Sequence, residues 1–318
     1  MPAFPKPQFT YAYDVATQAR ALRTYRDTAP GRAIPPKSST RLLVATWNVA
    51  NLGVQQRRPQ DYQVLAEIIS WFDVVALQEV NDKLDGLRGI LHELPQTWAA
   101  MFSDPDGNDE RGAFLYDSKK VVPLELIGEL GVPVADQPFI KLPGITRAFQ
   151  GFDRSPYIGS FRAGSFEFVL VSAHLYYGKD DKAARERRSL EAYAVGRWAD
   201  LRTKAKAAYL NDVIALGDFN IPKADQSDAV FAALTRRGLR RPDHSTKIWS
   251  AIASDSDYDQ ILFVPSKTAS EFTGKIGVFD FDGAVFPDLF QTKTKTQFLA
   301  YLRYYVSDHR PLWAQFKI

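Results

Sequence analysis

The sequence predicts an α/β protein, because apolar runs typical of buried strands alternate with segments that have the periodicity of amphipathic helices. Four of the runs lack the polar alternation of a half-exposed strand, which indicates strands covered on both faces. Each run ends in a polar residue, and such residues at the ends of central strands converge on one edge of a sheet. The runs span residues 42–47, 74–77, 168–173 and 213–217.

Three segments have the spacing of amphipathic helices. Residues 15–25 repeat apolar side chains every three or four positions. Residues 64–72 do so after Pro59, a residue type favoured in the first helical turn. A third, strongly basic segment, residues 182–206, carries an apolar stripe that we expect to face the protein core. The stripe consists of Leu190, Ala194, Trp198, Leu201 and Ala205.

The chain is predicted to comprise an N-terminal arm, residues 1–40, followed by one large domain, residues 41–318. Proline, glycine and serine are concentrated in residues 29–39, which is typical of a linker. Length alone would allow about two domains of roughly 150 residues each, but no later stretch resembles a linker. The alternation of strands and helices therefore indicates a single domain after the arm.

Composition excludes several classes of protein. Apolar residues make up 45% of the 318 residues and charged residues 24%, which are ordinary values for a folded protein and exclude collagen, coiled coil and disorder. No apolar run approaches the roughly 18 to 20 residues of a membrane-spanning helix. The first residues lack the charged start and apolar core of a signal peptide. We therefore expect a cytoplasmic protein, or a secreted one whose signal has been removed.

The absence of cysteine narrows the chemistry further. With no cysteine in the chain, disulfides, iron–sulfur clusters, thiolate zinc sites and cysteine nucleophiles are excluded. Any bound metal must use oxygen or imidazole ligands, which favours magnesium, manganese or calcium.

Positive charge is concentrated in two places, although the net charge is only +3. Residues 182–206 contain eight lysines and arginines against three acidic residues, and a second cluster lies within residues 236–241. Such patches suit a phosphate backbone. Charge alone, however, favours the simpler interpretation of a solvated helix face.

A group of polar residues follows the predicted strands, and each member has a structural explanation when taken singly. Asn48 could cap a turn, Glu79 could cap a following helix, and His174 could be a hydrogen-bonded core histidine. Asp218 and Asn220 could form an Asx turn. The full group comprises the carboxylates Glu79, Glu110, Asp218, Asp259 and Asp308, the histidines His174 and His309, and the amides Asn48 and Asn220.

As a group, these residues indicate metal-assisted hydrolysis of a phosphodiester. Carboxylate and amide oxygens are the ligands that magnesium prefers, and clustered carboxylates repel one another unless a cation lies between them. Histidines with carboxylate partners suit proton transfer near neutral pH. Cation, acid and base are what phosphodiester hydrolysis requires. The remaining histidines, His92 and His244, are expected to be ordinary surface or loop residues.

Six short motifs carry all of this group except Glu110, and in their order they resemble the endonuclease/exonuclease/phosphatase superfamily of metal-dependent phosphoesterases. The resemblance covers nearly all of the chain beyond the arm. It implies two packed mixed β-sheets flanked by helices, a four-layer α/β/β/α sandwich. Gly-Asp-Phe-Asn alone is a weak signal, but six motifs in order that end in Ser-Asp-His-x-Pro are a strong one. They lie at residues 46–51, 76–80, 172–175, 217–220, 258–262 and 307–312.

Within the superfamily the chain looks most like deoxyribonuclease I. A histidine stands at position 174, where abasic-site endonucleases of the exonuclease III type lack one. Residues 108–116 resemble the segment whose glutamate pairs with that histidine, and residues 152–157 resemble the segment with a phosphate-binding arginine. The chain departs from the pattern in several features, among them the absence of the disulfide cysteines of the animal enzymes and an arm with no recognised counterpart.

The resemblance implies a role for each residue. Glu79 would be the principal metal ligand, with Asn48 and Asp308 close to the same ion. His174 and His309 would flank the scissile phosphate, one as base and one as acid, and the sequence leaves open which is which.

The remaining roles concern orientation and phosphate binding. Glu110 would orient the first catalytic histidine and Asp259 the second, each fixing a tautomer. Asp218 would position water or a metal-bound group. Asn220 and Arg154 would hold phosphate oxygens as charge develops on them.

The predicted function is a phosphodiesterase, dependent on Mg²⁺ or Mn²⁺, that cleaves DNA with low sequence specificity and leaves 5′-phosphates. Ca²⁺ is compatible as an additional structural ion. The expected partner is nucleic acid, specifically DNA, with no obligate protein partner. An abasic-site repair nuclease and a catalytically inactive binding module are the alternatives that share this fold.

A second class of alternative is a lipid or small-molecule phosphoesterase, like the sphingomyelinases and inositol-lipid phosphatases of the same superfamily. A lipid enzyme should expose an aromatic hairpin, for which the aromatic-rich residues 279–286 are the candidate, although a buried strand and turn is the favoured interpretation. Three tyrosines precede the last motif and would either stack on bases or pack a helix. They are Tyr301, Tyr304 and Tyr305.

Overall fold

The computed structural model describes residues 3–179, 181–244 and 247–318. Residues 1 and 2 of the predicted arm lie outside the described residues. Eleven strands and eight α-helices are present in the described part of the chain, together with three short 3₁₀ turns. The strands are β1 Arg41–Leu52, β2 Val74–Asn81, β3 Trp98–Phe102, β4 Glu110–Asp117, β5 Val122–Glu129, β6 Tyr157–Ala163, β7 Phe166–His174, β8 Val213–Asp218, β9 Asp259–Phe263, β10 Phe272–Val278 and β11 Leu312–Lys317.

The helices lie mostly between these strands, with one preceding the first strand. The 3₁₀ turns cover Gly107–Asp109, Val134–Phe139 and Phe281–Gly283. The α-helices are α1 Val15–Thr28, α2 Pro59–Ile69, α3 Asp85–Glu93, α4 Lys182–Lys204, α5 Ala229–Thr235, α6 Pro265–Thr268, α7 Pro287–Thr292 and α8 Lys295–Tyr305.

The strands form two mixed sheets. One has six strands in the order β10-β11-β1-β2-β4-β3, and the other has five in the order β5-β6-β7-β8-β9. Each sheet contains one parallel pair, β1 with β2 and β7 with β8, and its other neighbours are antiparallel. The predicted α/β class with two mixed sheets is confirmed.

Three apolar clusters hold the layers together. The central cluster joins the inner faces of both sheets, for example Val44 and Ala76 of one sheet with Leu170 and Leu216 of the other. A second cluster lies between the six-stranded sheet and α1, α2 and α8. A third lies between the five-stranded sheet and α4 and α5. The layers therefore follow the predicted α/β/β/α order.

The four predicted central strands are present, but the first is longer than expected. β1 continues past Asn48 to Leu52, with a register shift against β2 in between. Ala50 and Asn51 adopt positive φ angles of 29° and 51° at this irregularity. Asn48 therefore lies within the bent end of β1. The apolar run alone could not indicate this bend.

The helix over residues 182–206 is confirmed as α4, but the predicted apolar stripe is wrong in its second half. Leu201 is 44% exposed, whereas Val195, Ala199 and Thr203 are buried. Small side chains on this face allow a close approach to α5, because a side chain at Gly196 would collide with the backbone carbonyl of Leu234. Packing distance, not apolar size, selects the buried face.

The N-terminal arm is packed against the large domain. The Asp14 side chain accepts a hydrogen bond of 2.7 Å from the Thr17 N–H and caps α1. Leu22 of α1 is fully buried in the cluster beside the six-stranded sheet. The Tyr13 hydroxyl donates to Asp61 of α2 at 2.7 Å. The division at residue 40 remains a prediction.

The aromatic segment before α7 is buried. Phe279, Phe281 and Phe286 are fully buried in the cluster beside the six-stranded sheet, so this segment does not supply the exposed hairpin that a lipid enzyme would need. The three tyrosines of α8 are also buried, which supports the helix-packing interpretation. No helix in the described ranges is both long and apolar enough to cross a membrane.

Candidate active site

The polar residues predicted from the strand ends meet at one edge of the two sheets. The parallel pairs β1–β2 and β7–β8 end there, and the antiparallel strands β4 and β9 begin there. In the register, His174 pairs with Asp218, and Asp218 pairs with Asp259. Glu110 pairs with Asn81, just beyond Glu79. The topology alone therefore brings residues far apart in sequence into one site.

Two carboxylates are joined through an amide at the centre of the site. The Asn48 Nδ2 group donates to Glu79 Oε1 at 2.9 Å and to Asp218 Oδ2 at 3.1 Å. The other Glu79 oxygen accepts from the Asn51 backbone N–H at 2.8 Å. As placed, Asn48 presents its NH₂ group, not its carbonyl oxygen, to the carboxylates.

The backbone at two of these positions is left-handed. Glu79 has φ 60° and Asn220 has φ 51°, which is uncommon for residues other than glycine and is frequent at functional sites. The Asn220 N–H donates to Asp218 Oδ1 at 2.8 Å, so the Asx turn is present. Gly217 precedes it with φ 130°, and a side chain there would collide with the carbonyl of Ala173.

Each predicted histidine has a carboxylate against Nδ1. His174 Nδ1 lies 2.8 Å from Glu110 Oε2, and His309 Nδ1 lies 2.8 Å from Asp259 Oδ2. The Nε2 atoms of the two histidines lie 3.7 Å and 3.8 Å from the same oxygen, Oδ2 of Asp218. The two pairs therefore present their free ring nitrogens to one carboxylate.

These contacts set the protonation of the site. Burial opposes the imidazolium form, but the carboxylates outweigh it: Asp259 and Asp218 hold the pKa of His309 well above its ordinary value. The pKa of His174 is also raised, by Glu110 and Asp218, against burial and the nearby Arg154 charge. Both histidines therefore favour the charged form that fits their partners.

The two candidate phosphate ligands are partly engaged with the backbone. Arg154 is buried and donates to the carbonyls of His174 at 3.0 Å and Leu175 at 2.9 Å. Its remaining nitrogen, Nη1, lies 3.6 Å from Glu110 Oε1. Asn220 Nδ2 also donates to the Leu175 carbonyl at 2.9 Å. Both side chains reach the site and also fix the loop after β7.

Asp308 lies at the rim of the site. Its Oδ2 atom pairs with Arg303 Nε of α8 at 2.9 Å. The preceding Ser307 hydroxyl donates to the Asn48 carbonyl at 2.6 Å, and the Trp47 indole donates to the His309 carbonyl at 2.7 Å. The loop before β11 is thereby fixed to the end of β1.

The residues present fit a hard divalent cation. The site offers carboxylate oxygens from Glu79, which is largely buried, and from Asp218, which is 2% exposed, and burial raises the pKa of Glu79. A cation would relieve this cost. Within the described residues, Asp218, Asp259 and His309 have ligand atoms within 4.8 Å of one another. This trio differs from the predicted ligands Glu79, Asn48 and Asp308.

The site forms the floor of an open cleft of about 620 Å³. Glu79, His174, Asp218 and His309 line it, as do aromatic side chains from three separate segments. These aromatic residues are Phe4, Tyr176, Tyr177 and Tyr258.

Two buried charges of α4 hold the loops around the cleft and were not singled out in the sequence. Glu191 accepts from the backbone N–H groups of Asp153 at 3.1 Å and Tyr176 at 2.9 Å. Arg188 donates to the carbonyls of Tyr176 at 2.7 Å and Asn220 at 2.9 Å. Both residues belong to the basic segment 182–206. Their position near Leu190 of the predicted apolar stripe was the signal that could have indicated their burial.

The fold is that of the endonuclease/exonuclease/phosphatase proteins, and the resemblance predicted from the motifs is confirmed. A Bacteroides thetaiotaomicron protein of that family is 21% identical, covers 88% of this chain and 95% of its own, and superposes with a TM-score of 0.59. TDP2 of D. rerio, in complex with a single-strand DNA product, is 18% identical with a TM-score of 0.55, covering 87% and 99%. A mannosyl-6-phosphatase of B. thetaiotaomicron is 20% identical with a TM-score of 0.55, covering 86% and 99%.

Among curated proteins, the chain is similar to a deoxyribonuclease of Thioalkalivibrio sp. (strain K90mix). The two are 28% identical over 197 residues, which cover 59% of this chain and 49% of the relative. The chain thus spans about half the length of the curated relative it matches. No protein-family model matches the chain.

Proposed function

We propose that the chain is a divalent-metal-dependent phosphodiesterase that hydrolyses DNA with little sequence preference and leaves 5′-phosphates. One observation carries this proposal. Two histidine–carboxylate pairs present their Nε2 atoms to the same oxygen of Asp218, at 3.7 Å and 3.8 Å, beside the largely buried Glu79. The arrangement supplies two proton-transfer groups and a cation site in one cleft.

The proposed roles follow from the positions of the side chains. His174 and His309 exchange protons with the attacking water and the leaving oxygen, one as base and one as acid. Glu110 and Asp259 orient the two rings. Asp218, within reach of both rings, positions the water.

The substrate phosphate and the metal occupy the same cleft in this proposal. Asn220 and Arg154 hold phosphate oxygens in addition to their backbone contacts. Glu79 would be the principal ligand for Mg²⁺ or Mn²⁺, with Asn48 and Asp308 close to the same ion. When bound, the ion offsets phosphate charge and lowers the pKa of water.

Two comparisons support a nucleic-acid substrate. The similar Thioalkalivibrio protein is a deoxyribonuclease, and the TDP2 structure contains a single-strand DNA product. Contacts to phosphates carry no sequence information, so a site built on them cleaves with low specificity. A phosphomonoester substrate is the second candidate, because the mannosyl-6-phosphatase has the same fold.

A plasmid digestion tests the proposal. Supercoiled DNA is incubated with the wild-type protein in magnesium, in manganese and in excess chelator, beside Glu79→Gln. The matched control is Glu167→Gln, because Glu167 is an exposed carboxylate of β7 outside the cleft. We expect nicked and then linear DNA only with metal, loss of cleavage in Glu79→Gln, and unchanged cleavage in the control.

Other outcomes redirect or refute the assignment. Equal cleavage by wild type and Glu79→Gln in clean preparations would refute it. Intact plasmid with every metal would refute the nonspecific DNA endonuclease, and assays on abasic DNA, RNA, lipid phosphodiesters and sugar phosphates would then identify the phosphoester class. Absence of metal binding by calorimetry would favour a binding module.

A further inference from the structure

The N-terminal arm contributes an aromatic ring to the catalytic cleft. Phe4 lines the cleft, and its ring centre lies 3.5 Å from the guanidinium carbon of Arg303. The arm is anchored farther along, because Phe9 stacks on Tyr301 with ring centres 5.9 Å apart and Tyr11 contacts the same ring at 5.6 Å. The cleft is therefore completed by a segment that precedes the main domain.

The guanidinium under Phe4 is itself fixed. Arg303 Nε lies 2.9 Å from Asp308 Oδ2, and Asp308 is next to His309. An aromatic ring stacked on a guanidinium that is held by a carboxylate forms a rigid planar surface. Phe4 thus contacts Arg303, and Arg303 contacts Asp308 at the rim of the proposed catalytic site.

A second aromatic surface lines the same cleft from the five-stranded sheet. The Arg187 guanidinium lies 4.2 Å from the ring centre of Tyr176, and Arg187 pairs with Glu191 at 3.2 Å. The neighbouring Tyr177 is 53% exposed. The two surfaces repeat one arrangement: an aromatic ring, an arginine and a carboxylate that holds the arginine.

We propose that Phe4 on Arg303 is a base-stacking surface, so that the preferred substrate is a nucleic-acid strand with unpaired bases beside the scissile phosphate. The inference rests on the proposed function and names its substrate class. Aromatic faces bind bases of any sequence. A base in a duplex offers only its edges in the grooves, so stacking on Phe4 requires an unpaired base.

The test compares strands that differ only in their bases. A labelled oligothymidine is cleaved as a single strand and as a duplex, beside a strand of the same length built from abasic spacers. The labelled strand carries the same number of phosphates in each substrate. We expect the wild type to prefer the single strand over the duplex.

Phe4→Ala is expected to lower kcat/KM on oligothymidine roughly tenfold, mainly through KM, because one base–aromatic stack is lost. It should leave the abasic strand unchanged, and Phe4→Trp should retain wild-type activity. The matched control is Phe139→Ala. Phe139 is 56% exposed and its ring centre, like that of Phe4, lies near an arginine, at 5.5 Å, but it does not line the cleft.

The outcomes separate this inference from the proposed function. Equal activity of wild type and Phe4→Ala on oligothymidine overturns it, as does an equal loss on the abasic strand, which would mean that Phe4 only supports the cleft. If the wild type cleaves none of these substrates, the proposed function fails. Fluorescence anisotropy with the same oligothymidine then decides the inference, because equal binding by wild type and Phe4→Ala overturns it and weaker binding by Phe4→Ala supports it.

Discussion

The chain buries histidines in two opposite electrostatic settings. In the cleft, His174 and His309 each have a carboxylate 2.8 Å from Nδ1. In the loop after α5, His244 has a cation instead, with Arg241 Nη2 3.2 Å from Nδ1. The pKa of His309 lies well above its ordinary value, whereas burial and Arg241 lower the pKa of His244 to about 3.

The comparison shows that burial does not by itself determine whether a histidine is charged. Burial disfavours the imidazolium in both settings, and the charge partner decides the outcome. A carboxylate favours the charged ring, while an arginine favours the neutral ring. His244 thus has the properties of a structural residue.

The largest expected effect is on activity, and it should distinguish a histidine of the cleft from His244. We expect His309→Ala to reduce DNA cleavage by about 10²- to 10⁴-fold, because a proton-transfer group is lost. His244→Gln should retain nearly full activity. Initial rates on the same DNA at saturating magnesium provide the measurement. A comparable loss in both variants would remove the distinction between the two settings.

A smaller effect should follow from removing the carboxylate partner. Asp259→Asn keeps the size of the side chain but loses the charge facing His309, and we expect a rate loss of at least about tenfold. Asp200→Asn is the control, since Asp200 is a buried carboxylate paired with Lys204 and Arg237 outside the cleft. If both substitutions reduced the rate equally, Asp259 would have no special role in orientation.

Much of the fold was predictable because burial on both faces leaves a clear sequence pattern. The run over residues 213–217 and its neighbours predicted central strands, and their polar ends predicted one shared edge. What escaped prediction depends on packing geometry. The buried face of α4 follows its small residues, such as Gly196, because close helix contact is more favourable there than burial of Leu201.

The sequence predicted which residues meet in the candidate site, but it did not predict several of the contacts around them. The motifs named both histidines and their carboxylates, whereas no local pattern indicates that Arg303 pairs with Asp308 or that Phe4 reaches the cleft. The contact between Phe4 and Arg303 joins segments about 300 residues apart and arises only from tertiary packing. Glu191 was hidden for a similar reason, because a charge within a basic helix looks solvent-exposed.

Glu191 extends the comparison to a buried charge that holds the backbone of two loops beside the cleft. It accepts two backbone N–H groups and pairs with Arg187 at 3.2 Å. Glu191→Gln should lower the free energy of unfolding by about 1–3 kcal/mol, because its NH₂ group would face one of those two donors. Urea unfolding measures this change.

The control for this substitution lies on the same helix. Glu186→Gln removes a carboxylate that pairs with the exposed Lys182 at 3.7 Å, and it should change the free energy of unfolding by less than about 0.5 kcal/mol. We also expect Glu191→Gln, unlike the control, to raise KM, since Arg154 and Tyr176 lie on the loops that Glu191 holds. An unchanged KM would limit Glu191 to a role in stability.

The last effect concerns His244 and the pH dependence of stability. Its folded pKa of about 3 lies below the ordinary 6.5, so between these values the unfolded chain binds more protons than the folded one. The free energy of unfolding therefore falls as the pH is lowered below about 6.5, by at most about 1.4 kcal/mol per pH unit from this group. Neutral His244 thus stabilises the fold only above this window.

His244→Gln should remove that slope, since glutamine does not titrate. The informative quantity is the difference in unfolding free energy between wild type and variant, measured in urea from pH 7.5 to pH 4.5, because the other titrating groups cancel. We expect the wild type to lose stability relative to the variant as the pH falls. A difference independent of pH would mean that Arg241 and burial do not hold His244 neutral, and its contrast with the cleft histidines would fail.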